Sequence, residues 1–200
     1  VHLPAGEIAA HIVTAADGTA TAEDLYLGSY RIVETLAPEG YVLNGEPVDV
    51  TLSYAGQEVE AAYAESEFGD VPQKGIIEAH KVDAESGLPV AVPGIEFRVT
   101  AAADVVTPDG TVRAHEGDVV AEVVTGDDGK AETDELYLGD YNVLETATPD
   151  GWAIDHETHM VELSYAGQEV KVTRTVLETA DAPTTFILLK KAELIDGELV

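Results

Sequence analysis

Apolar residues in this chain fall mostly at alternate positions, in short runs bounded by Gly, Pro, Asp and Asn, and no stretch sustains a 3.6-residue period. Alternation of this kind marks strands with one buried face, so the fold class is all-β. The runs are clearest in the second half: Gly75 to Asp83, Gly94 to Ala102, Asp118 to Thr125, Glu135 to Ala147, and Met160 to Val176 with Ala166-Gly167 at its middle. The last reads as a hairpin around a tight turn. Gly126-Asp127-Asp128-Gly129 reads as a turn between strands. Roughly seven short strands in about 110 residues suggest a Greek-key sandwich of immunoglobulin-like kind.

The pattern occurs twice. LYLGSYRIVETLAPEG from Leu25 returns as LYLGDYNVLETATPDG from Leu136, and LSYAGQEV stands unchanged at Leu52 and Leu163, each pair 111 positions apart. A shared offset for both pairs means that a whole unit has been copied, spacers included. Val1 aligns with Val112, so the chain is expected to divide into a truncated first repeat (1–72) that lacks its N-terminal strands, a complete second repeat (73–183), and the first strand of a third (184–200). Val71-Pro72 and Ala182-Pro183 would mark the linkers, because a residue before proline is pushed into extended geometry. The chain thus reads as a window onto a longer protein. On this reading, residues 1–72 alone form a sandwich with an open edge.

Composition narrows the function. With 39 Asp and Glu against 10 Lys and Arg, a formal charge of −29 repels phosphate backbones and anionic lipid, which sets aside nucleic acid and membrane insertion as partners. Cysteine is absent, removing disulfides and thiolate chemistry. His156-x-x-His159 with Asp155 and Glu157 has a metal-ligand spacing, but the first copy has Gly45 and Val48 there, so a solvated loop is the better reading. Asp127-Asp128-Gly129-Lys130 lacks the later ligands of a calcium loop. Neither metal nor cofactor is expected, and no carboxylate pair sits in a glycosidase-like motif.

Strand parity isolates two charges. Tyr141, Val143 and Glu145 share one face, as Tyr30, Ile32 and Glu34 do in the first copy, and Lys81 shares a face with Ile77 and Ala79. Both charges therefore point inward, and buried charges are nearly always partnered. Each repeat also places an Asp two residues before its linker proline, Asp70 and Asp181. For these the alternative is a residue that starts a turn.

Lys81-Val82-Asp83 followed by Gly87, Gly94 and Phe97, then Glu145-Thr146 with Pro149, Gly151 and Trp152, then Ala180-Asp181-Ala182, resembles the collagen-adhesin B-type repeat (Cna B, or SpaA-like pilin) of Gram-positive surface proteins. The resemblance implies tandem prealbumin-like sandwiches stacked into the stalk of an adhesin or pilus, outside the cell and anchored to the wall by segments beyond this window. Neighbouring repeats of the same chain would be the partners. It also implies an intramolecular isopeptide bond, with Lys81 as nucleophile, Asp181 as acceptor and Glu145 as proton shuttle. Such a bond forms once per domain, so the chain would not be an enzyme with turnover. Burial that lowers an amine pKa and raises a carboxyl pKa would let the neutral forms meet. Glu34 and Asp70 would be the counterparts in the first repeat, their lysine lying upstream, and Lys191 would serve the third. A plain Lys–Asp–Glu ion network is the alternative without a bond. A different function, a module that grips a host extracellular-matrix protein directly, would need an exposed binding loop, for which Ala101 to Gly117 is the candidate.

Overall fold

The computed structural model describes residues 3–59 and 62–181, together with the backbone of 194–195 and 198–199, and at Asp181 the backbone but not the side chain. Two compact units divide the chain: Val1–Ala37 with Leu43–Asp70, and Pro38–Val42 with Val71–Val200.

In the first unit, β1 (Gly28–Ile32) pairs antiparallel with a strand at Val48–Leu52, from Gly28 opposite Leu52 to Ile32 opposite Val48. Arg31 and Asp49 face each other across this pair, with Nε to Oδ1 at 2.7 Å. Tyr30 donates its hydroxyl to the Tyr26 carbonyl at 2.6 Å.

The second unit is a two-layered sandwich. Numbered in chain order, with Val48–Leu52 as β3, it opens with β2 (Tyr41–Val42), β4 (Val71–Pro72), β5 (Lys74–Asp83) and β6 (Glu96–Ala101). It continues through β7 (Val105–Val106), β8 (Val112–Ala114), β9 (Val119–Val124) and β10 (Lys130–Glu132). Then follow β11 (Leu136–Tyr137), β12 (Gly139–Ala147), β13 (Thr158–Leu163) and β14 (Val172–Asp181). One layer is β10-β5-β11 with β14 beside β5, and the other is β13-β12-β6-β9. Alternation puts Ile77 and Ala79 of β5 against Phe97 and Val99 of β6, Tyr141 and Val143 of β12, and Val161 and Leu163 of β13, all at most 5% exposed. The burial of these interleaved apolar faces is what drives the layers together.

Several sequence expectations change in detail. The segment from Met160 to Val176 is not a hairpin: β13 pairs with β12, while β14 pairs with β5. Residues 164–171 therefore cross from one layer to the other, and β14 runs parallel to β5 in an unbroken ten-residue register from Val172 opposite Lys74 to Asp181 opposite Asp83. β13 and β14 do not pair with each other, so the Gly167 corner, at φ 98°, serves a crossover between the layers. Gln73 anchors that crossover from a buried position, its Oε1 accepting the Ala166 amide at 2.8 Å and its Nε2 donating to the carbonyls of Gly167 and Val170. Val71-Pro72, expected as a linker, is the short strand β4, paired with Tyr41–Val42. The candidate loop from Ala101 to Gly117 contains a small hairpin, β7 against β8. The linker at Pro183 lies outside the described residues.

The outer face of β5 carries a charge network. Glu78, with a side chain only 13% exposed, bonds His80, receives Lys130 Nζ at 3.1 Å and Arg174 Nη1 at 2.5 Å, and Arg174 also reaches Glu132 at 2.6 Å. Hydrogen bonding to His80 first, then to Lys130, holds the Glu78 carboxyl at about 2, below its ordinary 4.5. A depressed carboxyl stabilises the folded state fully above the unfolded value and loses that contribution as pH falls through the folded one. Glu78→Gln is therefore expected to lower stability by about 1 kcal/mol at neutral pH. The deficit should vanish between pH 4.5 and 2, the window set by that shift, in urea titrations run across pH.

Candidate functional site

Lys81 reaches the interior because β5 keeps strict parity through Ile77 and Ala79, and Glu145 does so because β12 continues the face of Tyr141 and Val143. The two meet. Lys81 Nζ lies 2.7 Å from Glu145 Oε2, with the side chains 0% and 1% exposed. At that distance and depth the pair is a charge-assisted hydrogen bond shielded from water. Lys81 Nζ also donates to Thr179 Oγ1 of β14 at 3.3 Å.

Thr179 was not foreseen from the sequence. It stands directly opposite Lys81 in the parallel register and is 1% exposed. Burial in β14 alternates regularly, with Thr173, Thr175, Leu177 and Thr179 on the more buried side. Three threonines there hide the parity that apolar residues would have displayed. Asp181 ends the same strand two positions beyond Thr179, its backbone opposite Asp83, and its side chain is not described.

Backbone contacts fix Lys81 further. Its amide donates to the Gly129 carbonyl at 3.1 Å, and its carbonyl accepts from Val90 at 2.9 Å. Glu145 Oε1 accepts the Asp155 amide at 3.4 Å, and Asp155 Oδ2 pairs with His159 Nε2 at 2.8 Å. The histidine that looked like half of a metal motif is thus the partner of Asp155. His156 is exposed. Burial presses the Asp155 carboxyl upward, but hydrogen bonds from His159 and the Glu157 amide outweigh it and hold the group below its ordinary value.

The first unit repeats part of this. Glu34, half-buried at the end of the same hairpin, accepts the Asn44 amide on Oε2 at 2.9 Å, 111 positions before the Glu145–Asp155 contact. The Tyr30 hydroxyl bond has its counterpart in Tyr141 to the Tyr137 carbonyl, also 2.6 Å. Asp70 has its Oδ1 shielded from solvent with no hydrogen-bond partner among the described residues. Lys191 lies outside the described residues.

Two antiparallel strand pairs of one register, one of them set in a sandwich with a buried Lys–Glu pair between its layers, define a class of all-β sandwich domain. A family model described as "SpaA: Prealbumin-like fold domain" matches residues 4–66 and again 75–176, and the chain belongs to that family. Among solved structures it is similar to the Bacillus anthracis TIE protein, at 23% identity and a TM-score of 0.55, over 86% of this chain and 28% of that one. It is also similar to the major pilin SpaD of Corynebacterium diphtheriae (21%, TM-score 0.41, 56% of this chain and 32% of that). A third is GBS52, a minor pilin of Streptococcus agalactiae (17%, TM-score 0.39, 88% and 70%). At 23% identity the likeness to the TIE protein is one of fold. No curated protein sequence matches the chain. Among the described residues no helix is long and apolar enough to cross a membrane.

Proposed function

We propose that the chain is a stalk segment of a Gram-positive surface adhesin or pilus, and that its second repeat cross-links itself through an amide between Lys81 and Asp181. The observation that carries the reading is the Lys81–Glu145 contact, 2.7 Å at essentially zero exposure, beside the strand that ends in Asp181. In the proposed reaction the Lys81 ammonium first passes its extra proton to the Asp181 carboxylate, and the resulting uncharged amine attacks the Asp181 carboxyl carbon. One C–N bond forms, one C–O bond breaks, and water leaves. Glu145 takes the amine proton on one oxygen and returns a proton to the departing hydroxyl, so the glutamate ends as it began. Holding amine and acid together in a dry site supplies the effective concentration that the same groups lack in water.

The parallel register supports a mechanical role. β5 begins beside the start of β14 and both run the same way, so tension applied at Lys74 and at Asp181 pulls the pair in shear. A bond from Lys81 to Asp181 would carry that load across adjacent strands and leave residues 82–180 unloaded. Placement outside the cell and neighbouring repeats as partners belong to the same proposal.

Intact mass of the 200-residue chain tests the chemistry. We expect a deficit of one water relative to the sequence, traced by peptide mapping to Lys81 and Asp181, and the full mass in Lys81→Ala and in Glu145→Ala. A wild-type chain at its full sequence mass overturns the covalent reading and leaves an ion network.

A further inference from the structure

We propose that residue 155 is a positioning residue for the cross-linking reaction: an Asx turn aims its backbone amide at Glu145 Oε1, so that Oε2 becomes the oxygen that carries the proton. This rests on the isopeptide reading above and deepens it.

The turn is built the same way in both units although the loops differ in sequence, Asn44-Gly-Glu-Pro-Val against Asp155-His-Glu-Thr-His. Asp155 Oδ1 accepts the Glu157 amide at 2.8 Å, and Asn44 Oδ1 accepts the Glu46 amide at 3.1 Å. In each case the turn residue's own amide points back to the inward glutamate, to Glu145 at 3.4 Å and to Glu34 at 2.9 Å. Asn and Asp are the residues whose short side chains fold onto the backbone two positions ahead. What the two loops have in common is therefore the group that orients the amide, rather than a charge.

The consequence for Glu145 follows from geometry. A carboxylate free to rotate about its terminal torsion presents either oxygen to the amine. An amide fixed on Oε1 removes that freedom, and Oε2 is the atom found 2.7 Å from Lys81 Nζ. In the second unit the turn has an additional brace, since His159 Nε2 holds the remaining Asp155 oxygen at 2.8 Å. The first unit has Val48 in place of His159 and Asn44 in place of Asp155, so the brace is specific to the unit that contains the Lys81 pair. The Asp155–His159 pair, a metal motif by spacing alone, is accounted for as a support.

The test follows completion of the water-loss product in the full chain, sampled from the end of a short expression pulse onward. Asp155→Asn should match wild type, because the Asx turn survives. Asp155→Ala and Asp155→Pro, the latter lacking the amide hydrogen, should complete the reaction at least about tenfold more slowly, as expected for a misplaced proton-transfer group. Thermal unfolding of each variant in a Lys81→Met background reports any purely structural loss, which should be no larger for Ala than the kinetic effect explains. Hydrogen exchange on the wild-type chain gives a second measurement that needs no variant at 155 to fold: the Asp155 amide should be protected, and protection should fall in Glu145→Ala. A wild-type chain with no mass deficit sinks the isopeptide reading together with this one. A normal deficit that forms equally fast in Asp155→Ala and Asp155→Pro, or an unprotected Asp155 amide, overturns the positioning role alone.

Discussion

Glu145→Ala is expected to destabilise the second unit by about 3–5 kcal/mol even before any covalent bond is considered, because it removes the carboxylate 2.7 Å from a lysine whose side chain is 0% exposed. The desolvation of Lys81 is then no longer offset by its charged partner. Replacing both residues by apolar ones of similar volume, Lys81→Met with Glu145→Leu, removes the cost together with the pair, and such swaps are often neutral or stabilising. The double variant should therefore be more stable than Glu145→Ala. Comparison with wild type isolates the cross-link, since neither variant can form it. Closing a loop of about 100 residues is worth about 4.7 kcal/mol on the chain-entropy model. Denaturant unfolding followed by the single Trp152 would read all three proteins. A double variant as stable as wild type would mean that no bond is present. A double variant as unstable as Glu145→Ala would mean that lost packing, rather than a stranded charge, dominates the site.

The parts legible in the sequence were those where local periodicity and burial agree. β5 and β12 are half apolar by strict alternation, and each carries one charge on its apolar face, so Lys81 and Glu145 could be placed inward without knowing the fold. That they meet followed only from the rarity of lone buried charges. β14 was harder, because Thr173 and Thr175 occupy its more buried positions and Val176 its exposed one, which blurs the alternation. Its partner is hidden for a related reason. The Ala166-Gly167 corner satisfies the local chemistry of a hairpin turn, and nothing within those few residues announces that the following strand leaves for the other layer. The decision is made by Gln73, more than 90 residues away, whose side chain holds the crossover at three points. The Asx turn at Asp155 was legible in principle, since Asn44-x-Glu46 and Asp155-x-Glu157 share it.

Gly129→Ala should be among the most damaging small substitutions in the chain, and its effect should reach the Lys81 site. Gly129 sits at φ +74°, where an L residue costs roughly 1–2 kcal/mol. A Cβ there would also fall 2.0 Å from the Val90 carbonyl oxygen and 3.1 Å from Ala91 Cα, both backbone atoms that cannot rotate away. Relieving such a clash by backbone movement costs about 1–3 kcal/mol more. The displaced groups are those that hold Lys81: the Gly129 carbonyl accepts a hydrogen bond from its amide, and the Val90 amide donates to its carbonyl. Gly151→Ala is the matched control, since φ is +97° but no atom lies within 4 Å of the added carbon. It should carry the conformational cost alone. Equilibrium unfolding should therefore rank Gly129→Ala below Gly151→Ala by at least about 1 kcal/mol. If the cross-link forms, only Gly129→Ala should slow the loss of water. Equal losses in the two variants would show that the turn yields without strain, and that Lys81 is positioned by its own strand rather than by the backbone packed against it.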